Sequence, residues 1–371
     1  MVNIALYIAD TSPSGITRYA FNMTTCLSEF GHQCKIISDT NLFSLNKSEM
    51  IVLSENERLG AIKITQRILK LKKEIDRNHI DVVISNGWYH DMVALAASRL
   101  STCKPKIIGV VHTRPELWGL DDKWYKRIKS SLIRRIYALE DKTISVSESL
   151  TYAIKNKGWI KDPTTIYNPI VSERIKGISR LRTITDSTLK LVCMGWINPV
   201  KGYDTAIKAL AELRRNEIPA TLTIIGAPNN EYYFSEIKEQ VRKLALENYV
   251  LFKGALEDPF ELLDQMDVFI LSSRSEALPT ALIEAMAIGL PVIASDCNYG
   301  PREILRDGEY GALVPINDWK KIADEARKLV NDPNLYTKMS RSGIERANTF
   351  DFVTSGYFYN NLIKSYKIEV G

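Results

Sequence analysis

Glu276 and Glu284 bracket a short apolar run, Ala277-Leu278-Pro279-Thr280-Ala281-Leu282-Ile283, that follows a strand-like segment over Val268–Ser272. Pro279 suits the first position of a helix, where its missing N–H would be unpaired in any case. Such a helix offers free amides at its N-terminus, a ready anion site. Glu276 precedes it, and Glu284 sits five residues inside, roughly 7.5 Å further along the axis at 1.5 Å per residue. Two carboxylates so spaced can serve two parts of one long ligand. Taken alone, the pair also fits a solvated loop acid and an exposed helix residue. A second strand-to-helix turn, Met194-Gly-Trp-Ile-Asn-Pro-Val-Lys201-Gly-Tyr, puts Lys201 at another helix N-terminus. A cation there is disfavoured by about 0.3–1 kcal/mol unless an anion shares the site. Beside the Glu276–Glu284 loop, Lys201 reads as a second phosphate contact. A third turn, Asp10-Thr-Ser-Pro-Ser-Gly15-Ile-Thr, carries a glycine that lets backbone approach a ligand closely. The dinucleotide fingerprint G-x-G-x-x-G and the P-loop pattern are both absent, which removes most support for nicotinamide chemistry.

The elements that must hold these turns alternate along the chain. Strand patterns at Asn3–Ala9, Gln33–Ser38, Val82–Ser85, Ile107–His112 and Thr143–Val146 are separated by helical patterns such as Arg58–Arg77 and Met92–Leu100. After an irregular stretch from Asn168 to Leu189 the alternation resets. Strands are expected at Lys190–Met194, Thr221–Gly226, Val250–Gly254, Val268–Ser272 and Pro291–Ser295, with helices near Tyr203–Arg215, Phe234–Leu246, Thr280–Ile288 and Lys320–Val330. Repeated strand–helix–strand units require right-handed crossovers and parallel sheets. The expected architecture is therefore α/β, with two doubly wound Rossmann-like domains facing across a ligand cleft beyond the carboxyl ends of their strands. The first domain spans 1–170, a linker spans 171–187, and the second domain spans 188–351. The aromatic tail, 352–371, is expected to cross back onto the first domain as a helix.

Length and composition agree with this. The chain has 371 residues, 45% hydrophobic and 25% charged, which fits two globular domains and excludes a disordered or fibrous protein. The longest uncharged apolar stretch, Ala285 to Ala294, is far short of the roughly 18 residues of a membrane span. Met1 to Asp10 lacks a basic leader, so the expected location is the cytoplasm. Five scattered cysteines suggest neither a disulfide framework nor a zinc site. Charge is uneven: residues 1–180 hold 27 Lys+Arg against 18 Asp+Glu, and the remainder 22 against 26. A basic first half points to an anionic partner.

In order along the chain come Gly15 after the first strand, Ser145-Val-Ser-Glu-Ser149, Ile166-Tyr-Asn-Pro-Ile170, Gly195 with Lys201-Gly202, Phe252-x-Gly254, Asp267-Val-Phe-Ile-Leu-Ser-Ser273, and Glu276-x7-Glu284 with Ala285-Met-Ala-x-Gly289-x-Pro291-Val292. This series resembles glycosyltransferase family 4, retaining enzymes of the GT-B fold, over nearly the whole chain. The resemblance implies transfer of a hexose or N-acetylhexosamine from a nucleoside-diphosphate sugar to a hydroxyl, with retention at the anomeric carbon. It implies that Glu276 binds the donor sugar, Glu284 the ribose hydroxyls, and the backbone from Ala277, Leu278 and Pro279 to Thr280 and Ala281 the diphosphate or sugar. Lys201 would neutralise the departing diphosphate, electrostatic assistance of the kind that usually dominates such catalysis. The base would rest near Phe252 to Leu256, and His112 matches the family's histidine beside the reacting sugar; a lone histidine at a strand end also fits ordinary packing. The chain departs from the family at Trp196, where an arginine is usual, and Arg274 is the nearby residue that could replace it. No D-x-D motif is present, in keeping with a reaction that needs no metal or other cofactor.

Lys123-Trp-Tyr-Lys-Arg-Ile-Lys-Ser-Ser-Leu-Ile-Arg-Arg135 holds six basic residues and no acid, and residues 61–73 have the same character. Such amphipathic basic segments suit an anionic membrane interface, and the resemblance implies peripheral work on the inner face of the cytoplasmic membrane. They also fit helices packed on a sheet with their charges in water. No nucleic-acid module appears, so nucleic acid is not an expected partner. Asp296-Cys-Asn-Tyr-Gly-Pro-Arg-Glu-Ile-Leu305 resembles the segment in members that build lipopolysaccharide, O-antigen or capsule, often from UDP-hexoses. The expected partners are thus a UDP-sugar donor and a glycan or lipid-linked glycan acceptor, chosen through Gly87–Asp91 and Thr113–Asp122. A UDP-sugar 2-epimerase of the same fold and a non-catalytic nucleotide-sugar sensor are the alternatives.

Overall fold

Near-continuous apolar runs pair side by side as parallel strands, because both faces of each sheet are covered by crossover helices. The computed structural model describes residues 1–10, 14–40, 50–53, 61–112, 124–160, 162–184 and 187–366. The chain forms two compact units, Met1–Pro169 with Phe352–Gly371, and Ile170–Asp351.

The first unit is built on seven parallel strands: β1 (Asn3–Asp10), β2 (Gln33–Thr40), β3 (Met50–Val52), β4 (Val82–Asn86), β5 (Lys106–Val111), β6 (Lys142–Ser145) and β7 (Thr164–Thr165). Their order is β3-β2-β1-β4-β5-β6-β7, which reverses between β1 and β4, where Ile4 pairs with Val82 and Leu6 with Ile84. The connecting helices are α1 (Gly15–Glu29), α2 (Ala61–Arg77), α3 (Trp88–Leu100), α4 (Trp124–Ala138) and α5 (Glu148–Asn156). A core of Ala5, Tyr7, Ile37, Leu71, Ile75, Val83, Val93 and Ile136 joins sheet to helices. The C-terminal helix, Phe352–Ser365, lies against α1. The Tyr19 and Tyr359 hydroxyls meet at 2.7 Å, and Cys26 Sγ donates to the Phe352 carbonyl at 2.9 Å. Gly356 permits this approach, since a Cβ there would strike Cys26 Sγ and the Phe30 ring.

The second unit carries six parallel strands: β8 (Leu189–Met194), β9 (Ala220–Ile225), β10 (Val250–Gly254), β11 (Val268–Leu271), β12 (Val292–Ser295) and β13 (Ala312–Val314), in the order β10-β9-β8-β11-β12-β13. Helices α6 (Glu173–Ile178), α7 (Tyr203–Arg215), α8 (Glu231–Lys243), α9 (Phe260–Leu263), α10 (Thr280–Ala287), α11 (Gly300–Leu305), α12 (Trp319–Asn331) and α13 (Pro333–Ala347) complete it. The order reverses between β8 and β11, so the turns that follow these two strands open at the switch point where ligands bind in such sheets. Those turns contain Lys201 and Glu276.

Residues 171–187, expected as a linker, group with the second unit and include α6. Arg182 explains the attachment: its buried guanidinium donates to the Ile288, Asp264 and Met266 carbonyls and pairs with Asp264 at 2.8 Å. Of the two basic segments, Leu71 and Ile133 are buried, as are Ile75 and Ile136 just beyond them, whereas Leu69 and Leu132 are exposed. Arg67 of α2 is buried as well, 3.1 Å from Asp39. Lys129, Arg134 and Arg135 stay exposed, and Lys123 lies outside the described residues. Among the described residues no helix is long and apolar enough to cross a membrane, and no group of three or more His, Cys, Asp or Glu could hold a metal ion.

Candidate active site

Asn198 and Gly202 set the local path that places Lys201. The Asn198 side chain caps a single 3-10 turn, Pro199–Lys201, by accepting from Val200 N at 3.0 Å and Lys201 N at 3.2 Å. Asn before Pro is a helix-start signal that sequence alone carries. Gly202 then adopts φ 64°, and a Cβ there would strike the Ser272 carbonyl oxygen. The backbone after β8 therefore runs directly against the backbone after β11.

Across that contact Lys201 Nζ lies 2.6 Å from Glu276 Oε1, with both side chains largely buried. The anion that the sequence demanded beside Lys201 is thus supplied, in the free protein, by Glu276. Ser273 Oγ donates to the same carboxylate oxygen at 2.6 Å, and Ser272 Oγ donates to the Lys201 carbonyl at 2.9 Å. These two serines end the strand pattern; their partners lie off the strand, which periodicity does not record.

Pro279 does not occupy the first helical position. Its ψ of 93° is extended, so it caps α10 from outside, and Thr280 is the first helical residue. The Pro279 carbonyl accepts from Leu282 N at 3.1 Å, and the Thr280 and Ala281 amides head the helix. Leu278 and Pro279 are buried, and Ala277 and Thr280 half-buried. Gly300 supports this loop from behind, because a Cβ there would come within 2.9 Å of the Ala277 carbonyl. Glu284, on α10, is 1% exposed, which excludes the reading of it as a surface residue. Cys297 is also near: burial first, and the Glu276 charge second, push its thiol up to about 12.

Arg274 does not reach toward Lys201's ammonium as a free charge. Its guanidinium pairs with Asp204 at 2.7 Å and donates to the Pro199 carbonyl. Burial raises the Asp204 carboxyl, but hydrogen bonds from Arg274 and from the Tyr233 hydroxyl outweigh it and hold the group below the usual carboxylate range. Trp196 is half-buried in the same loop. Phe252 and Leu256 lie along and just after β10, the edge strand; the Phe252 ring packs edge-on to Phe234 at 5.4 Å against the core.

The remaining candidates belong to the first unit. Gly15 is the exposed first residue of α1, behind the cap Ser14, whose Oγ accepts from Thr17 N at 3.2 Å. His112 follows β5, with Nε2 2.7 Å from Asn86 Oδ1 and its ring 4.7 Å from that of Tyr19. Asn86 donates through Nδ2 to the Tyr7 carbonyl at 3.0 Å. Its Oδ1 therefore faces His112 as an acceptor, which assigns the proton to Nε2 and leaves Nδ1 as an acceptor. Burial drives the imidazole pKa down to about 3, so the ring is neutral near pH 7. Gly87, with φ 100°, precedes α3, and Asp91 is buried in its first turn. Thr113–Asp122 lies outside the described residues.

Known proteins share this fold. The structure of Anabaena HepE in complex with UDP and glucose superposes with a TM-score of 0.80 at 18% identity, covering 98% of this chain and 100% of that one. The two parallel-sheet units have the GT-B fold. The family models complete the identification: Glycosyltransferase Family 4 matches residues 13–174 and Glycosyl transferases group 1 matches 179–346. The chain belongs to glycosyltransferase family 4. It is 23% identical to the N-acetylgalactosamine-N,N'-diacetylbacillosaminyl-diphospho-undecaprenol 4-alpha-N-acetylgalactosaminyltransferase of Campylobacter jejuni, over 95% of this chain and 97% of the relative. It is 29% identical to the lipopolysaccharide core biosynthesis glycosyltransferase LpsE of Rhizobium meliloti over 52% of this chain and 54% of the relative.

Proposed function

We propose that the protein is a retaining, metal-independent hexosyltransferase. It moves a hexose or an N-acetylhexosamine from a UDP-sugar to a hydroxyl of a glycan or lipid-linked glycan in the building of bacterial lipopolysaccharide, O-antigen or capsule. The observation that carries this reading is the Lys201–Glu276 pair at 2.6 Å, set at the start of α10. A donor sugar that takes the hydrogen bonds of Glu276 releases the ammonium of Lys201 toward the diphosphate. There it opposes the charge that grows as the bond from the anomeric carbon to the phosphate oxygen breaks. The N-terminus of α10 adds its partial positive charge. The acceptor oxygen attacks from the face that the diphosphate leaves, and its proton passes to the departing phosphate oxygen. Glu284 takes the ribose hydroxyls, the base lies along Phe252 to Leu256, and Gly15 lets the first unit's backbone approach the donor. Neutral His112 offers Nδ1 to a sugar hydroxyl.

The UDP donor draws support from the UDP and glucose held by HepE, and the acceptor class from the names of the Campylobacter and Rhizobium relatives. Peripheral association with the inner face of the membrane draws support from exposed Lys129, Arg134 and Arg135 around half-exposed Leu132. The test is release of UDP from a panel of UDP-sugars, with membrane extract as acceptor, by the wild type and by Glu276→Ala. Acceptor-dependent release that falls at least about 100-fold in the variant supports the assignment. One observation favours a second reading, a nucleotide-sugar sensor: Trp196 stands where the family has arginine, and Arg274 is engaged by Asp204. Binding of a UDP-sugar with no turnover in any extract would select it.

A further inference from the structure

Ser272, Ser273 and Arg274 follow β11, and each of them reaches the turn that carries Lys201 or its partner Glu276. Ser272 Oγ donates to the Lys201 carbonyl at 2.9 Å, Arg274 N to the Val200 carbonyl at 2.7 Å, and the Arg274 guanidinium to the Pro199 carbonyl. Three consecutive carbonyls of the turn are thus satisfied from one three-residue strip. The serine between, Ser273, holds the Glu276 carboxylate at 2.6 Å. The opposite face of the turn is closed by Asn198, which accepts from Val200 N and Lys201 N. Nothing in this arrangement leaves Lys201's backbone free to shift without breaking a hydrogen bond to the strip.

Asp204 determines what Arg274 is for. Its carboxylate accepts from Arg274 at 2.7 Å through one oxygen and from the Tyr233 hydroxyl at 2.7 Å through the other. Two of the guanidinium nitrogens are engaged, one by this carboxylate and one by the Pro199 carbonyl, which orients Arg274 onto the turn. Arg274 is thus tied to the turn rather than standing as an unpaired charge beside Trp196.

We propose that Ser272, Ser273 and Arg274 are positioning residues that set the Lys201–Glu276 pair, with Asp204 the counter-charge that keeps Arg274 on the turn. The proposal rests on the donor-transfer reading above for its catalytic consequence, and on geometry for the strip itself. The experiment compares full-length wild type with Arg274→Gln, Asp204→Asn, the double variant, Ser273→Ala and Ser273→Thr. It measures kcat, UDP affinity, and hydrogen exchange of the Val200 and Lys201 amides. Positioning predicts that Arg274→Gln and Asp204→Asn each lower kcat about tenfold and raise exchange, with the double variant no worse than either alone, because one interaction is being removed. Ser273→Ala lowers kcat about tenfold as well, and Ser273→Thr, which keeps the hydroxyl, restores most of it. A phosphate-binding Arg274 gives a different pattern: Arg274→Gln weakens UDP about tenfold, while Asp204→Asn leaves UDP binding unchanged or tighter. That pattern overturns the proposal, and so does unchanged amide exchange in both variants. A wild type that binds no UDP-sugar but shows the exchange pattern removes the donor reading and leaves the strip standing.

Discussion

Lys201 and Glu276 neutralise one another at 2.6 Å, and the residues around them exist to make that approach possible. Gly202 matters most among these. At φ 64°, beside the Ser272 carbonyl, Ala in its place is strained in the left-handed region and also collides with backbone that cannot swing away. Gly202→Ala is expected to lower stability by about 2–3 kcal/mol in urea unfolding, with kcat falling as well. Stability within about 0.5 kcal/mol of wild type contradicts the close approach. Lys201 was legible in sequence because a cation at a helix start calls for an anion, and Glu276 and Glu284 by their spacing about α10; the structure brings Lys201 and Glu276 together. Ser272 and Ser273 were not, since a hydroxyl at a strand end is common and its partner, in one case, lies 71 residues away. The tie of Arg274 to Asp204 is hidden for the same reason, the two lying 70 residues apart in sequence.

At the scale of elements, long periodic segments were legible and short ones were not. Tyr203–Arg215 and Val250–Gly254 fall where periodicity places them, whereas the edge strands Met50–Val52, Thr164–Thr165 and Ala312–Val314 are too short to show an alternation. Pro279 fits either side of a helix start, and its ψ alone decides. The packing of α3 onto the first sheet has a consequence for pH. Asp91 in its first turn accepts from Ser85 Oγ at 2.6 Å, and Glu140 accepts from Thr143 Oγ1 at 2.7 Å where Gly109 leaves room against the sheet. Burial raises both carboxyls, and each is raised further or held only weakly by its neighbours. A raised acid pKa means the folded state keeps a proton that the unfolded chain releases near pH 4. That contribution is present below the unfolded pKa and is lost as pH rises through the folded one. Asp91→Asn keeps the acceptor for Ser85 and removes the ionisation. Its Tm is expected to exceed that of wild type at pH 8, with a smaller difference at pH 5. An equal difference at both values would show that Asp91 does not titrate between them.

Over the whole molecule, the chain completes its first unit only at its end, when Phe352–Ser365 returns to α1 through the Tyr19–Tyr359 contact. The aromatic tail announced that helix, and the two runs of strand–helix alternation announced two sheets. The extent of 171–187 was not legible, because the attachment rests on Arg182, a buried cation whose carbonyl partners leave no trace in sequence. Charge was legible as an imbalance between halves, but not its disposition: Arg67 is spent on Asp39 inside the first unit. In the second unit, the proposed diphosphate site at the head of α10 depends on Lys201. The most direct test is calorimetric titration of UDP into the intact wild-type protein and Lys201→Ala. UDP is expected to bind the wild type and to lose about tenfold or more in affinity in the variant, the worth of one charge-assisted contact to phosphate. Equal affinity in the two proteins, or no binding of UDP to the wild type, would contradict the claim.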